Sequence, residues 1–271
     1  MKHEILSAEL VDVFSGERTP KFIATLDADG IPNVVPVISL RAADGKTIIF
    51  GEFMIVKTRQ NLEKVPEVGV AIFTEDLKIW TIRGRFLRFE RSGSYVDTIN
   101  TTANFRYNAY SGIRNAGVIE ALEVTHTWSL TKQDIVRQML FVKMFQPVFR
   151  FQRNGGVVLP HTVREKFDRL QAVKFIAYRD EQGYPSCLPV PSLSSAGKGK
   201  MIFNTVLAPK DIEKIPHSSW IAASVITLDP VAYQVKGTFE GVKSLGVGSI
   251  GSLSVREAYS ASPPLPGHRI V

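Results

Sequence analysis

The stretch KFIATLDADGIPNVVPVISLRAADGKTIIF at residues 21–50 occurs a second time, as KFIAYRDEQGYPSCLPVPSLSSAGKGKMIF at residues 174–203. Aligned at a constant offset of 153 residues and without a gap, the two stretches are identical at 14 of 30 positions. Chance would give about two, since common residues are each used at several per cent. The chain therefore contains an internal repeat.

The likeness extends beyond this stretch with a changing offset. It is 150 at residues 63–66 and returns to 153 at Gly84 and Gly237. Near the end of each copy we align Trp128 with Tyr259, at an offset of 131. The second copy is then expected to lack 22 residues, the difference between the offsets 153 and 131.

The repeat has the size of a small domain. Its unit of roughly 110–120 residues is longer than a solenoid repeat and typical of a whole domain. Two fused copies can do within one chain what a twofold homodimer does with two. We therefore predict a first domain over residues 1–131, a helical basic connector over 132–170 and a second domain over 171–271. Further pairing of whole chains is left open.

Each copy has the pattern of a small antiparallel barrel. Asp29-Gly30 is a strong hairpin signal between two apolar runs. A short helix is expected over 58–64, with Thr58 as its cap and Pro66 just past its end. Runs rich in β-branched and aromatic residues predict strands in the first copy over residues 22–26, 32–40, 47–50, 68–74, 78–89 and 118–130. The fold class is therefore mainly β with a few helices.

The connector is predicted to hold a helix over 133–149, which Pro147 should kink or end. Packing of this helix between the two barrels is favoured over a role at a membrane surface. The net charge of the chain is +7, and residues 132–170 carry +5 of it. No nucleic-acid-binding motif accompanies this charge, so a solvated surface or a surface that faces a small anionic ligand is favoured over nucleic acid.

The rest of the composition excludes several classes. No stretch is long and apolar enough to predict a membrane span. The one cysteine, Cys187, excludes an internal disulfide and a multi-cysteine metal site, and a buried inert thiol is expected. The five histidines lack the spacing of metal ligands, so no metal is predicted. A cytoplasmic location is the expectation.

One segment carries plausible chemistry. Residues 50–62 leave a strand, cross a loop and enter the short helix. A helix start offers unpaired N–H groups, Lys57 adds a positive charge and Thr58 a hydroxyl, which together suit a phosphate dianion. Arg59 could reinforce them. The alternative is a solvated lysine beside an ordinary helix cap.

The order of these segments resembles the FMN-binding split-barrel family. It runs from FIATLDADGIPNVVPV through TIIF, KTRQNL and IRGRF to VIEALEVTHTWSL. The family includes pyridoxamine 5'-phosphate oxidases, flavin reductases and small FMN-binding proteins. The resemblance covers residues 20–130 well and 172–261 more loosely.

The resemblance implies two tandem split β-barrels that form a fused pseudo-dimer, with FMN in the cleft between them. The implied phosphate-binding residues are Lys57, Thr58 and Asn61. The implied contacts to the flavin ring are Val37, Ile38, Ser39 and Gly51. The second barrel would complete the pocket. Trp220, Tyr233 and Tyr259 are candidates to stack on the ring, although ordinary core packing is favoured for them.

The second copy departs from this pattern. Leu207-Ala208 aligns with Lys57-Thr58, and Asp211 aligns with Asn61. An aspartate repels phosphate, and Lys210 lies three positions late in this alignment. We therefore predict one FMN site per chain, built by the first copy and walled by the second.

The predicted function is that of an FMN-binding flavoprotein, with a flavin-dependent oxidoreductase favoured. One alternative is a non-catalytic FMN-binding or electron-carrier protein. Another is a split barrel whose ligand has changed to haem or a deazaflavin. No paired carboxylates at a defined spacing nominate a catalytic residue.

Overall fold

The fold is mainly β, as predicted. The computed structural model describes residues 4–17, 19–53, 55–102, 112–150, 157–229, 231–262 and 265–271. In these ranges fourteen strands form two seven-stranded antiparallel sheets, and six helices accompany them. One sheet uses strands from residues 21–129 and the other from residues 173–260, so each copy of the repeat builds its own sheet.

The first half begins with a short helix that the sequence reading did not predict. The strands are β1 (Lys21–Leu26), β2 (Pro32–Pro36), β3 (Arg41–Ala42), β4 (Thr47–Gly51), β5 (Glu67–Phe73), β6 (Lys78–Glu90) and β7 (Ala116–Ser129). The helices are α1 (Ala8–Ser15), α2 (Val56–Leu62) and α3 (Ser94–Asn100). The order in the sheet is β2-β1-β5-β6-β7-β4-β3.

The second half repeats this topology. Its strands are β8 (Val173–Arg179), β9 (Pro185–Pro189), β10 (Ser194–Ser195), β11 (Lys200–Asn204), β12 (Trp220–Ile226), β13 (Ala232–Ser244) and β14 (Ser249–Ser260). The remaining helices are α4 (Lys132–Arg150), α5 (His161–Asp168) and α6 (Pro209–Glu213). The order β10-β11-β14-β13-β12-β8-β9 is that of the first sheet read backwards.

Three local predictions need correction. The strand predicted over 32–40 ends at Pro36, and a turn follows. Helix α2 begins two residues before Thr58, so Thr58 is a buried residue within the first turn and not the cap. Helix α4 runs past Pro147 to Arg150, so of the two effects predicted for Pro147, a kink or a helix end, the helix end does not occur.

The offset of 131 predicted for the last strand is wrong by three residues. Gly117 lies against the ring of Phe50, and Gly251 lies against the ring of Phe203, at positions where a Cβ atom would overlap the ring. Phe50 and Phe203 are equivalent at offset 153, so these glycines are equivalent at offset 134. The second copy thus lacks 19 residues here, the difference between the offsets 153 and 134.

The two halves pack around a pseudo-twofold axis. Phe22 and Phe175 are equivalent residues, and their ring centroids are 4.8 Å apart. A residue touches its own equivalent only at the axis of a twofold arrangement. The surrounding buried cluster takes residues from both sheets and includes Cys187. Burial raises the pKa of the Cys187 thiol, which fits the inert thiol expected there.

Helix α4 packs mainly on the second half. Val142 and Phe149 are buried with Ile202 and Ile250 of the second sheet. This differs from the predicted position between the barrels, although the start of the helix reaches the interface cluster through Ile135. Among the helices of the described ranges, none combines the length and apolar character needed to cross a bilayer.

Candidate functional site

A cavity of about 1020 Å³ lies between the two halves. This is at the upper end of the ~300–1,000 Å³ typical of cofactor pockets. The first half contributes the start of the β1–β2 turn, the turn after β2, the loop after β4 and helix α2. The second half contributes residues from β12, β13, β14 and the segment after β14: Ile226, Ala232, Gln234, Tyr259, Ser260, Ala261, Ser262, Leu265, Pro266, Gly267 and His268.

The structure brings together six of the seven predicted site residues. Those lining the cavity are Val37, Ile38, Ser39, Lys57, Thr58 and Asn61. Gly51 lies behind this wall, where its N–H donates to Ser39 Oγ at 2.9 Å. Gly51 therefore positions Ser39 instead of facing the cavity. Contact of these residues with a flavin stays a prediction.

The polar end of the cavity is held by hydrogen bonds between α2 and the sheet. Asn33 Nδ2 donates to Thr58 Oγ1 at 3.3 Å, and Asn61 Nδ2 donates to Thr25 Oγ1 at 2.9 Å. Thr58 and Asn61 are both buried. A hydroxyl can donate as well as accept, so Thr58 keeps a hydrogen for a ligand while it accepts from Asn33.

Arg59 does not reinforce this end of the cavity as suggested from the sequence. Its guanidinium binds Glu52 and, at 2.9 Å, Glu63. Burial alone would raise the pKa of Glu52, but hydrogen bonds from Asn115 and Arg59 and the charge of Arg59 hold it below its usual value. Glu52 is therefore charged and keeps Arg59 away from the cavity.

Lys57 meets an aromatic ring from the other half. Its Nζ lies 4.9 Å from the centroid of Tyr259, within the range of a cation–π contact. The Tyr259 hydroxyl donates to Glu257 Oε2 at 2.8 Å. Burial and this hydrogen bond raise the pKa of Tyr259 to about 12, so the phenol is neutral near pH 7. The contact joins the two walls of the cavity.

Two residues of β13 face the first half and were missed by sequence reasoning. Gln234 lines the cavity, and its Nε2 donates to the Val34 carbonyl at 2.6 Å. Lys236, two residues along the same strand, is 0% exposed. Its Nζ has no hydrogen-bond partner among the described residues. A signal was available, since Lys236 stands at offset 153 from Arg83.

The charge of Lys236 is opposed by its surroundings. Burial lowers its pKa to about 7, and the nearby Lys57 ammonium contributes to that shift. The carboxylates of Asp27 and Glu257 act in the opposite direction. Asp27 also lines the cavity, where its Oδ1 accepts from the Ile31 N–H at 2.9 Å.

Of the three predicted ring-stacking candidates, Tyr259 lines the cavity. Tyr233 packs against the buried core of the second half. Trp220 begins β12, pairs with Thr238, and does not line the cavity. The core role favoured for these aromatics therefore fits Tyr233.

In the equivalent region of the second half, side chains of the first half contact the segment that leads into α6 and α6 itself. Trp128 Nε1 donates to the Leu207 carbonyl at 3.0 Å and its ring stacks on His126. His126 Nε2 lies 3.4 Å from Asp211 Oδ2. The buried Leu62 of α2 and Ile212 of α6 stand at offset 150, in keeping with the alignment of Leu207 with Lys57, and Lys210 lies at the start of α6.

One edge of the cavity is apolar and open to solvent. Ile38, Val56 and Leu265 line it and are 50%, 68% and 59% exposed. Large apolar side chains exposed together on a concave surface are typical of a binding site. The cavity thus combines a cationic, hydroxyl-bearing end with an apolar edge, which suits a planar ligand that carries an anionic group.

Comparisons with known proteins give similarities over about half of the chain. No family model and no curated protein matches the sequence. HupZ of Group A Streptococcus is 23% identical, with a TM-score of 0.37, over 46% of this chain and 94% of its own. An FMN-binding protein from Syntrophomonas wolfei is 18% identical, with a TM-score of 0.37, over 45% and 88%. HutZ, the haem storage protein of Vibrio cholerae, is 16% identical, with a TM-score of 0.33, over 46% and 94%.

Proposed function

We propose that the chain binds one FMN in the cavity between its halves and acts as a flavin-dependent oxidoreductase. The observation that carries the proposal is the convergence of Lys57, Thr58 and Tyr259 from two halves on one cofactor-sized cavity. The order of sequence segments shared with FMN-binding split barrels supports the same ligand.

The residues present fit FMN. Lys57 and the Thr58 hydroxyl supply a charge and a donor for the phosphate. The turn at residues 37–39 offers backbone groups and the side chain of Ile38 to the ring. Bound FMN supplies hydride or electron transfer, while the protein binds and orients it.

The size and shape of the cavity favour an oxidoreductase over an electron carrier with a shielded flavin. The cavity opens to solvent along Ile38, Val56 and Leu265. A second reactant can therefore approach a ligand bound there.

The first experiment is to release and identify the cofactor of the purified full chain, and then to titrate the cofactor-free protein with FMN. We expect tight FMN binding and consumption of a reduced nicotinamide when an acceptor is present. The double variant Lys57→Ala with Thr58→Ala should lose the cofactor, whereas Lys210→Ala, at an exposed lysine near the start of α6, should keep it.

Three results would contradict the proposal. Protein that does not bind FMN at saturating concentration would overturn it. A haem or deazaflavin identified in its place would replace the ligand. Full FMN retention in the double variant would remove the assignment of the phosphate to Lys57 and Thr58.

A further inference from the structure

The two pseudo-equivalent clefts each contain a basic residue at the same position of the repeat, and the surroundings of the two residues differ. Arg83 on β6 and Lys236 on β13 occupy equivalent positions, since each precedes the matched glycine and pairs with the equivalent residue of the neighbouring strand, Gly69 or Ala222. Arg83 Nη2 lies 2.8 Å from Asp180 Oδ2 across the interface. The Lys236 ammonium is buried and has no hydrogen-bond partner among the described residues.

The lysine side chain is shorter than that of arginine, which explains part of the difference between Lys236 and Arg83. Asp27 is the equivalent of Asp180 at offset 153, and it follows the equivalent strand. Arg83 reaches its aspartate, whereas none of the ion pairs found within 4.0 Å among the described residues includes Lys236. Its stem also keeps the ammonium beside Lys57. A buried ammonium without an anionic partner is costly, so the feature needs an explanation.

The neighbours of Lys236 place it directly behind the polar end of the cavity. Lys57 and Asp27, which both interact electrostatically with it, line the cavity. Gln234, two residues before it on the same face of β13, lines the cavity as well. Lys236 itself is not on the cavity surface, so any effect on a ligand acts through Lys57.

We infer that Lys236 is a positioning residue for the phosphate group of FMN, supplying from the second half a positive charge that supports Lys57. This inference rests on the proposed function. Without a ligand the two ammonium groups repel each other, and the charged form of Lys236 is disfavoured. A phosphate dianion at Lys57 attracts both, so Lys236 takes up a proton when FMN binds.

A pH dependence with a defined sign follows. The pKa of Lys236 is about 7 in the ligand-free protein, and a bound dianion raises it. The groups that face it are Lys57 on α2, Asp27 after β1 and Glu257 on β14. FMN is mostly dianionic above about pH 7, since a phosphate monoester has its second pKa near 6. FMN affinity should therefore fall as pH rises above about 7, by at most about tenfold per pH unit for one linked proton. Riboflavin, which lacks the phosphate, should show no such fall.

The test is a set of fluorescence titrations of the cofactor-free full chain with FMN and riboflavin between about pH 7 and pH 9. They are made on the wild type, Lys236→Met and the control Lys210→Met. Wild type and Lys210→Met should show the fall for FMN alone. Lys236→Met should bind FMN about tenfold more weakly near pH 7, with a flat profile, and riboflavin unchanged. Inorganic phosphate should compete with FMN more weakly in Lys236→Met than in wild type.

The other outcomes show whether the inference alone fails or the proposed function fails with it. Unchanged FMN affinity and slope in Lys236→Met would overturn the inference and leave FMN binding intact. Equal weakening of FMN and riboflavin with the slope retained would show a structural role only, and overturn it as well. A wild type that binds no FMN would overturn both. If Lys236→Met does not fold, the wild-type comparison of FMN with riboflavin still decides, because a flat FMN profile contradicts proton uptake.

Discussion

Replacing Phe22 by alanine tests whether the interface between the halves builds the cavity. Phe22 is fully buried, and the centroid of its ring lies 4.8 Å from that of the Phe175 ring. Truncating a buried phenylalanine costs about 3–5 kcal/mol, of which about 0.5–1.5 kcal/mol belongs to the aromatic pair. The cost should fall on the packing that holds β8, β9 and β12 against the first half, and since Ile226 of β12 lines the cavity, FMN binding should weaken together with stability.

The assay is urea unfolding of Phe22→Ala, Phe175→Ala and the double variant, with FMN titration of each folded protein. The double-mutant cycle should give a coupling energy of about 1 kcal/mol, since the residues are in contact. Phe239→Ala is the matched control, because Phe239 is equally buried but lies within the core of the second half. It should lose similar stability and keep its FMN affinity. A loss below about 1 kcal/mol for Phe22→Ala, or independent effects of the two phenylalanines, would refute the twofold packing.

Three further predictions concern single positions. Gly117→Ala should destabilise the protein by about 1–3 kcal/mol in urea unfolding, because the new methyl group overlaps the ring of Phe50; stability within error of wild type would contradict this contact. Burial lowers the pKa of Lys174 to about 7. As pH falls from the unfolded-state pKa near 10.4 towards 7, the unfolded chain binds a proton at this lysine that the folded protein does not, so the unfolding free energy decreases. The unfolding free energy of Lys174→Met should therefore depend less steeply on pH over that range, and an identical slope would count against the shift. Tyr259→Phe should keep FMN affinity because the ring that faces Lys57 remains, whereas Tyr259→Ala should lower it in the same titration; equal affinities in both variants would show that the ring does not contribute.

The sequence predicted the architecture well because the repeat is strong where the structure is most constrained. The matched glycines Gly84 and Gly237 each follow a register shift in the long hairpin, at a point where a Cβ atom would approach the facing backbone. Steric demands of that kind preserve residues at a fixed offset. Six of the seven predicted site residues then reach one cavity because they lie on two neighbouring segments of the first copy.

The errors arise where sequence signals are ambiguous or where contacts cross between the halves. The offset of 131 rested on short matches such as Leu122 with Leu253 and Val124 with Val255, whereas the strand pairing places the equivalent glycines at offset 134. Thr58 has the chemistry of a cap, but its hydroxyl is used by Asn33. The alignment of Lys236 with Arg83 marks the position, but its proximity to Lys57, 179 residues earlier in the chain, appears only in the fold.

The cleft of the second half shows what fusion makes possible. In a symmetric pair of identical subunits, a tryptophan placed like Trp128 would stand at the same position in both clefts. When a single gene encodes both halves, each cleft can change independently of its twin. One cleft can thus hold contacts between the halves, through Trp128 and the His126–Asp211 pair, while the other keeps an open cavity.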